Sequence, residues 1–321
     1  MRDAPPLEAQ QFLFEAREFP PFDDLPAEPN LRTIDRPVWT DNKAHFIMRY
    51  LRYFVFITKH GTYIDGFAGP QEERMCDTWA ARLVLESEPK WMRHFHLCDE
   101  KRSQVALLEH LKAAQPLVSA SGVKISRDVT IYHGDFNDKL NEILLGANIT
   151  EKEATFCLLD QRTFECQWVT LEQLARYKPS GHKIEIFYFL ANGWLERALA
   201  AQKDLDVLAR WWGRDDWTEL RAMSRDERRD VLVGRFKCDL GYQSVKAWPI
   251  YERDNGGAVM YYMIHATDHP EAPKLMSRAY RNTVSPLEPI EQLDLGLFPE
   301  SKGATPSISA FSAPLQMQRI G

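Results

Sequence analysis

Four stretches in the first half of this 321-residue chain share one pattern, a short apolar run that stops at an aspartate. They are Tyr63-Ile64-Asp65, Phe95-His96-Leu97-Cys98-Asp99, Ile131-Tyr132-His133-Gly134-Asp135 and Phe156-Cys157-Leu158-Leu159-Asp160. Runs of this length read as strands, and the segments between them carry helical periodicity. Alternating strands and helices predict a parallel sheet covered on both faces. A fifth run, Ile184–Leu190, continues the series. Ligands of open α/β sheets bind at the carboxyl ends of the strands. The four aspartates therefore fall where chemistry is expected.

The helices follow from spacing. Phe46, Ile47, Tyr50, Leu51, Phe54 and Ile57 predict a helix that Thr40 or Asp41 caps and that ends before His60-Gly61. Asp77 or Thr78 opens a second over Ala80–Glu86, and Ser103 caps a third with Val105, Leu108 and Leu111 on one face. Others fall around Leu140–Leu145, Leu171–Tyr177 and Lys274–Arg281. Residues 194–240 hold helices without a strand, a helical insertion over one sheet edge. Ser224 and Glu227 form a capping-box pattern there, just after Trp211, Trp212 and Trp217. Val245–Glu252 and Ala258–Ala266 flank Asp254-Asn255-Gly256-Gly257, an Asn-Gly hairpin signal. Residues 1–40 hold seven prolines and little periodicity, an irregular arm; 41–285 form the domain; 286–321 form a tail.

The expected fold is α/β and Rossmann-like: five parallel strands plus a C-terminal antiparallel hairpin, with helices on both faces. A dinucleotide dehydrogenase continues instead with a parallel sixth strand. The hairpin resembles the class I methyltransferase sheet, whose last strand inserts antiparallel between the fifth and sixth.

Composition narrows the class. A hydrophobic share of 44% suits a buried core. No apolar run reaches the roughly 20 residues that span a bilayer, and the N-terminus lacks the apolar stretch of a signal peptide, so a soluble, cytoplasmic protein is expected. The five cysteines are widely spaced without Cys-x-x-Cys, which argues against a disulfide framework or zinc site. A net charge of −6 argues against a broadly basic face for duplex DNA, while a local basic patch stays open.

The candidate site starts at Asp65-Gly66-Phe67-Ala68-Gly69-Pro70, the turn from first strand to first following helix. Glycine there lets backbone approach a ligand closely. The spacing Gly66-x-x-Gly69 is not Gly-x-Gly-x-x-Gly, so a pyrophosphate cradle is disfavoured. It resembles the Asp-x-Phe-x-Gly turn of class I methyltransferases, which meets the methionine part of S-adenosylmethionine (SAM). Asp99, with Glu100 beside it, suits ribose hydroxyls. In the methyltransferase reading Asp135 faces the adenine amino group with Phe136 covering the ring; the alternative is that Asp135 or Asn137 caps the next helix. In methyltransferases the position of Asp160 lies beside the methyl group of SAM, so Asp160 is expected to contact the cofactor and to orient or deprotonate an acceptor, with Glu165 as a second carboxylate. His94 and His96 share a strand face, and His265 and His269 straddle the last strand's end. All four read as structural. The basic run Arg225, Arg228, Arg229, Arg235 and Lys237 reads as a solvated helix face, and the tryptophans as packing for a helical lid, with base stacking the alternative.

From Lys43 to Tyr280 the chain resembles the three-Cys-motif partner proteins. The marks are the Lys43…Tyr50 helix, Tyr63–Pro70, Gly134-Asp135-Phe136-Asn137, Leu159-Asp160 and Tyr261–Pro270. The resemblance implies a class I methyltransferase-like protein that uses SAM and works with a radical-SAM-type iron–sulfur partner carrying the three cysteines. Nucleic acid is one candidate acceptor. Gln71 and Gln161 depart from the family pattern, which often has Gly and Pro there. These departures motivate a second reading, a non-catalytic binding module that presents substrate to the partner.

Overall fold

Strand β4 (Thr155–Leu159) and strand β5 (Glu185–Leu190) are buried along their whole lengths. Continuous apolar runs predict this for strands covered on both faces. The computed structural model describes residues 38–70, 78–118, 122, 124–146, 149–201, 205–253 and 256–283. Within them, β4 is the middle strand of a seven-stranded mixed sheet. Its order is β3 (Asp128–His133), β2 (His94–Asp99), β1 (Thr62–Asp65), β4, β5, β7 (Gly256–Thr267), β6 (Ser244–Arg253). Strands β1 to β5 are parallel to their neighbours. Strand β7 is antiparallel to both β5 and β6, so the last strand lies between the fifth and the sixth. Pro249 falls on β6, an edge strand, where a missing N–H is tolerated. Asp254 and Asn255, expected at the hairpin tip, lie outside the described residues.

Strand alternation splits the core into two layers. Phe156, Leu158, Phe187 and Phe189 pack on one face with Phe46, Tyr50 and Tyr280. Cys157, Leu159, Ile186 and Tyr188 pack on the other with Leu140, Trp168 and Phe236. The first layer takes α1 (Val38–Thr58), α2 (Ala80–Glu86) and α3 (Arg102–Ala113). The second takes α4 (Phe136–Gly146) and α5 (Trp168–Arg176).

Several helix starts differ from expectation. Helix α1 begins at Val38, so Thr40 and Asp41 lie inside it, and residues 38–40 of the expected arm are helical. Trp79, not Thr78, holds the N-cap of α2, and Asp77 lies outside the described residues. Lys101 caps α3, which leaves Ser103 interior. Neither cap residue bonds the helix through its side chain. Packing of the apolar face, rather than cap chemistry, sets where these helices begin.

The strandless segment forms α6 (Asn192–Ala201), α7 (Leu205–Trp212), a 3-10 helix (Asp215–Arg221) and α8 (Arg225–Cys238). It packs on the second face, against the β6–β7 hairpin. The Ser224–Glu227 capping box is present in both directions. The basic run is not wholly solvated: Arg228 and Arg235 are buried. The Arg235 guanidinium lies 3.6 Å from the centre of the Trp168 ring and 4.3 Å from that of Trp212. A planar guanidinium stacks on aromatic faces at small desolvation cost, which explains the difference. Trp211 and Trp212 are buried too, so they form no exposed base-stacking surface.

His96 is buried and meets the Tyr132 hydroxyl at 3.0 Å. Burial pushes its imidazole down to about 4. Cys98, Cys157 and Cys166 are buried free thiols and Cys238 is exposed; Cys76 and the expected tail lie outside the described residues. Among the described residues no helix is long and apolar enough to cross a membrane.

Candidate functional site

The turns that follow β1, β2, β3 and β4 open onto one cleft of about 270 Å³. That lies just under the range typical of small-molecule sites, about 300–1,000 Å³. Of the residues singled out from sequence, Gly66, Phe67, Gly69, Asp99, Glu100, Asp135, Phe136, Asp160 and Glu165 line it. The parallel register brings them together, because residues far apart in sequence end their strands at the same height.

Asp65, Ala68 and Pro70 stand behind the turn and do not line the cleft. Asp65 is 1% exposed; its carboxylate accepts from the Tyr63 hydroxyl at 2.8 Å and from the Phe67 amide at 3.1 Å. Loss of hydration on burial raises its carboxyl from 3.8 to about 7 against these two bonds. The Ala68 amide bonds the Cys98 carbonyl at 2.8 Å, and the Trp79 indole donates to the Ala68 carbonyl.

Packing within the protein also requires the glycines that line the cleft. A Cβ on Gly66 would lie 2.9 Å from the Phe136 ring. One on Gly69 would lie 2.5 Å from Asp99 Oδ2 and 2.6 Å from Gln104 Cβ. Close packing against the protein's own β2 and β3 turns therefore demands glycine, whatever binds above.

Asp99 ties two turns together. Its Oδ2 accepts from the Gly69 amide and its Oδ1 from the Lys101 amide, both at 2.9 Å. Each carboxylate oxygen offers two lone pairs, so acceptor capacity remains for a ligand. Glu100 beside it is exposed. Asp135 caps α4, with Oδ1 accepting from the Asn137 amide at 2.8 Å, and also reaches the cleft. Its two sequence readings are compatible. Phe136 is 2% exposed, and its ring centre lies 6.0 Å from that of Phe67.

Asp160 is held by a residue that strand-end reasoning did not assign to the site. Lys43 Nζ, from α1, lies 2.7 Å from its Oδ2 and 2.9 Å from its Oδ1. Glu165 Oε2 accepts from the Thr163 amide at 2.7 Å, so this carboxylate also braces its own loop. Gln161 is buried; it donates to the Phe189 carbonyl at 3.1 Å and accepts from the Cys166 amide at 2.8 Å. Gln71 lies outside the described residues.

Further residues at the site have no ligand role assigned from sequence. Asn137 joins the β3 and β4 loops: its amide donates to Asp135 Oδ1 and the Glu165 carbonyl, and its Oδ1 accepts from the Gln167 amide and the Thr170 hydroxyl. Arg162, from the β4 loop, and Val207 with Arg210, one turn apart on α7, also line the cleft. Amphipathic spacing could have found the last pair, since α7 buries Leu208, Trp211 and Trp212 on its other side.

No protein-family model matches this sequence, and no curated protein matches it. Among solved structures, a crystal structure of protein LPL1258 from Legionella pneumophila str. Philadelphia 1, family DUF519, is similar, with 11% identity and a TM-score of 0.42. The similarity covers 78% of this chain and 95% of that one. A likeness this weak assigns no function.

Proposed function

We propose that the cleft binds SAM and that the chain is a Rossmann-like class I methyltransferase. It works with the iron–sulfur, three-Cys-motif partner that the family resemblance implies. One observation carries the reading: a glycine turn and the carboxylates Asp99, Glu100 and Asp135 converge on a single cleft at the strand ends. The sheet, with β7 antiparallel between β5 and β6, supports it, because class I methyltransferases share that order.

The residues fit the group. Hydroxyl and amino donors of a nucleoside need acceptors, and the β2 and β3 turns supply carboxylates with lone pairs to spare. The Phe67–Phe136 pair supplies an apolar wall. When bound, SAM supplies a methyl group on a sulfonium for transfer to a nucleophile. Asp99 and Glu100 hold the ribose, and Asp135 takes the adenine amino group. Asp160 and Glu165 orient the acceptor at the β4 end. Arg162 and Arg210, which line the same cleft, suit an acceptor that carries phosphate, nucleic acid among them.

The test is calorimetry with SAM, S-adenosylhomocysteine and NAD. Binding of the first two near micromolar, about 8 kcal/mol, with no NAD binding, supports the reading. Silence from both SAM ligands overturns it.

A second reading, the non-catalytic module, has one observation in its favour. The Asp160 carboxylate is already matched by the Lys43 ammonium, and Gln161 is built into the core. Lone pairs engaged by the Lys43 ammonium are less available to an acceptor. SAM binding without methyl transfer, in the presence of the co-purified partner, would select this reading.

A further inference from the structure

Asn137 does not line the cleft, yet it bonds three residues that do: Asp135, Glu165 and Gln167. Its side-chain amide has two N–H donors and an oxygen with two lone pairs. One N–H goes to Asp135 Oδ1 at 2.7 Å and the other to the Glu165 carbonyl at 2.8 Å. The oxygen takes the Gln167 amide at 2.9 Å and the Thr170 hydroxyl at 2.6 Å. These partners fix which way the amide faces, because a backbone N–H needs an acceptor and a backbone carbonyl needs a donor. All four positions are filled within the protein, so Asn137 acts on a ligand only through its neighbours.

The two edges of this amide meet different parts of the site. On the β3 side, Asp135 Oδ1 takes both the backbone N–H of Asn137, at 2.8 Å, and its side-chain N–H. That leaves Oδ2 for a ligand in the cleft. On the β4 side lies the loop of residues 161–167, which carries Arg162 and Glu165. Within it, Glu165 Oε2 takes the Thr163 amide and Gln161 Oε1 takes the Cys166 amide. Asn137 holds two backbone groups of this loop from outside it, the Glu165 carbonyl and the Gln167 amide. A planar amide moves as one body, so whatever steadies its Asp135 edge also steadies its loop edge.

We propose that Asn137 is a positioning residue that couples occupancy of the nucleoside end of the cleft to the order of the loop that meets the acceptor. A ligand amino group on Asp135 Oδ2 holds that carboxylate still. Asp135 Oδ1 then holds the Asn137 amide, and the amide holds the Glu165 carbonyl and the Gln167 N–H. Glu165 and Arg162 are thereby set before the acceptor arrives. Such coupling is reciprocal, so an acceptor seated on the loop tightens the nucleoside in turn. The inference rests on the SAM reading and deepens it by naming the residue that makes cofactor and acceptor binding cooperative. The Asp99 side of the cleft stands apart from this chain of bonds, since Asp99 holds the Gly69 and Lys101 amides instead.

The test is amide hydrogen exchange with and without saturating S-adenosylhomocysteine. In the wild-type chain the ligand should slow the Thr163 and Cys166 amides roughly tenfold or more, together with the Gly69 and Lys101 amides on the Asp99 side. Neither loop amide is bonded to Asn137, so a change in them is not the loss of their own hydrogen bond. In Asn137→Ala the Gly69 and Lys101 amides should still slow, while Thr163 and Cys166 exchange as fast with ligand as without. Should Asn137→Ala fold poorly or resist saturation, Thr170→Val removes one donor from Asn137 at a residue outside the cleft lining. It should show a smaller loss of protection at the same two loop amides. Loop protection that survives in these variants, loss of protection on both sides alike, or a wild type in which the ligand protects Gly69 and not the loop overturns the inference and leaves the SAM reading standing. A wild-type chain that does not bind S-adenosylhomocysteine overturns both.

Discussion

Lys43 Nζ lies 2.7 Å from Asp160 Oδ2, joining helix α1 to the end of the central strand across 117 positions of sequence. Helix α1 thereby reaches a residue of the cleft, and the Asp160 carboxylate is paired with a side chain from outside the sheet.

This pair should be costly to break on one side. Lys43→Met takes the ammonium away from the buried Asp160 carboxylate, and should destabilise the fold by about 3–5 kcal/mol. Adding Asp160→Leu should recover most of that loss. Urea denaturation of the single and double variants measures both steps. A single-variant cost below about 1 kcal/mol, the level of an exposed pair, would show that the contact does not persist in solution.

Asp65 should make stability depend on pH. Its folded carboxyl, at about 7, lies above the usual unfolded value, 3.8. Between these values the folded state keeps a proton that the unfolded state has released. Stability therefore falls as pH rises through this window, by up to about 1.4 kcal/mol per unit, and levels off above it. Asp65→Asn removes the dependence, so it should gain on wild type steadily from pH 4.5 to 7.5. Parallel denaturation curves for the two proteins at every pH would contradict this.

Gly69→Ala places a methyl carbon against Asp99 Oδ2 and Gln104. It should cost about 1–3 kcal/mol through overpacking. Because Asp99 must move, ligand binding in the cleft should suffer along with stability. A variant that keeps wild-type melting and wild-type binding would mean that the turn relaxes freely.

Arg235→Lys tests the stacked guanidinium. Lysine keeps the charge but loses the planar contact with Trp168 and Trp212 and the hydrogen bond to Asp239. The expected loss is about 2 kcal/mol or more, with a changed near-ultraviolet dichroism from the two indoles. Unchanged spectra and melting would show that the packing tolerates an ammonium.

Much of the frame was legible in sequence. The five parallel strands and the antiparallel hairpin follow from apolar runs and from Asn255-Gly256, because strand pairing needs little beyond alternation and turn chemistry. The acids at Asp99, Asp135 and Asp160 were legible as well, since a strand end in such a sheet always faces the same side. Helix starts were less so. Ser103 has the right residue type for a cap, yet α3 begins a residue earlier at Arg102.

By itself, then, the sequence determined which segments become strands and which strand-end residues share one rim. Both are local properties, carried by period and by punctuation. Tertiary structure alone decided what each of those residues touches. It put Lys43 on Asp160, gave Asp99 to the Gly69 amide, drew Asp65 behind the turn, and buried Arg235 between two tryptophans. Each contact joins residues from different elements, or depends on how deeply packing encloses a group. Charge compensation and hydration loss are set by that enclosure, and no one-dimensional pattern encodes it.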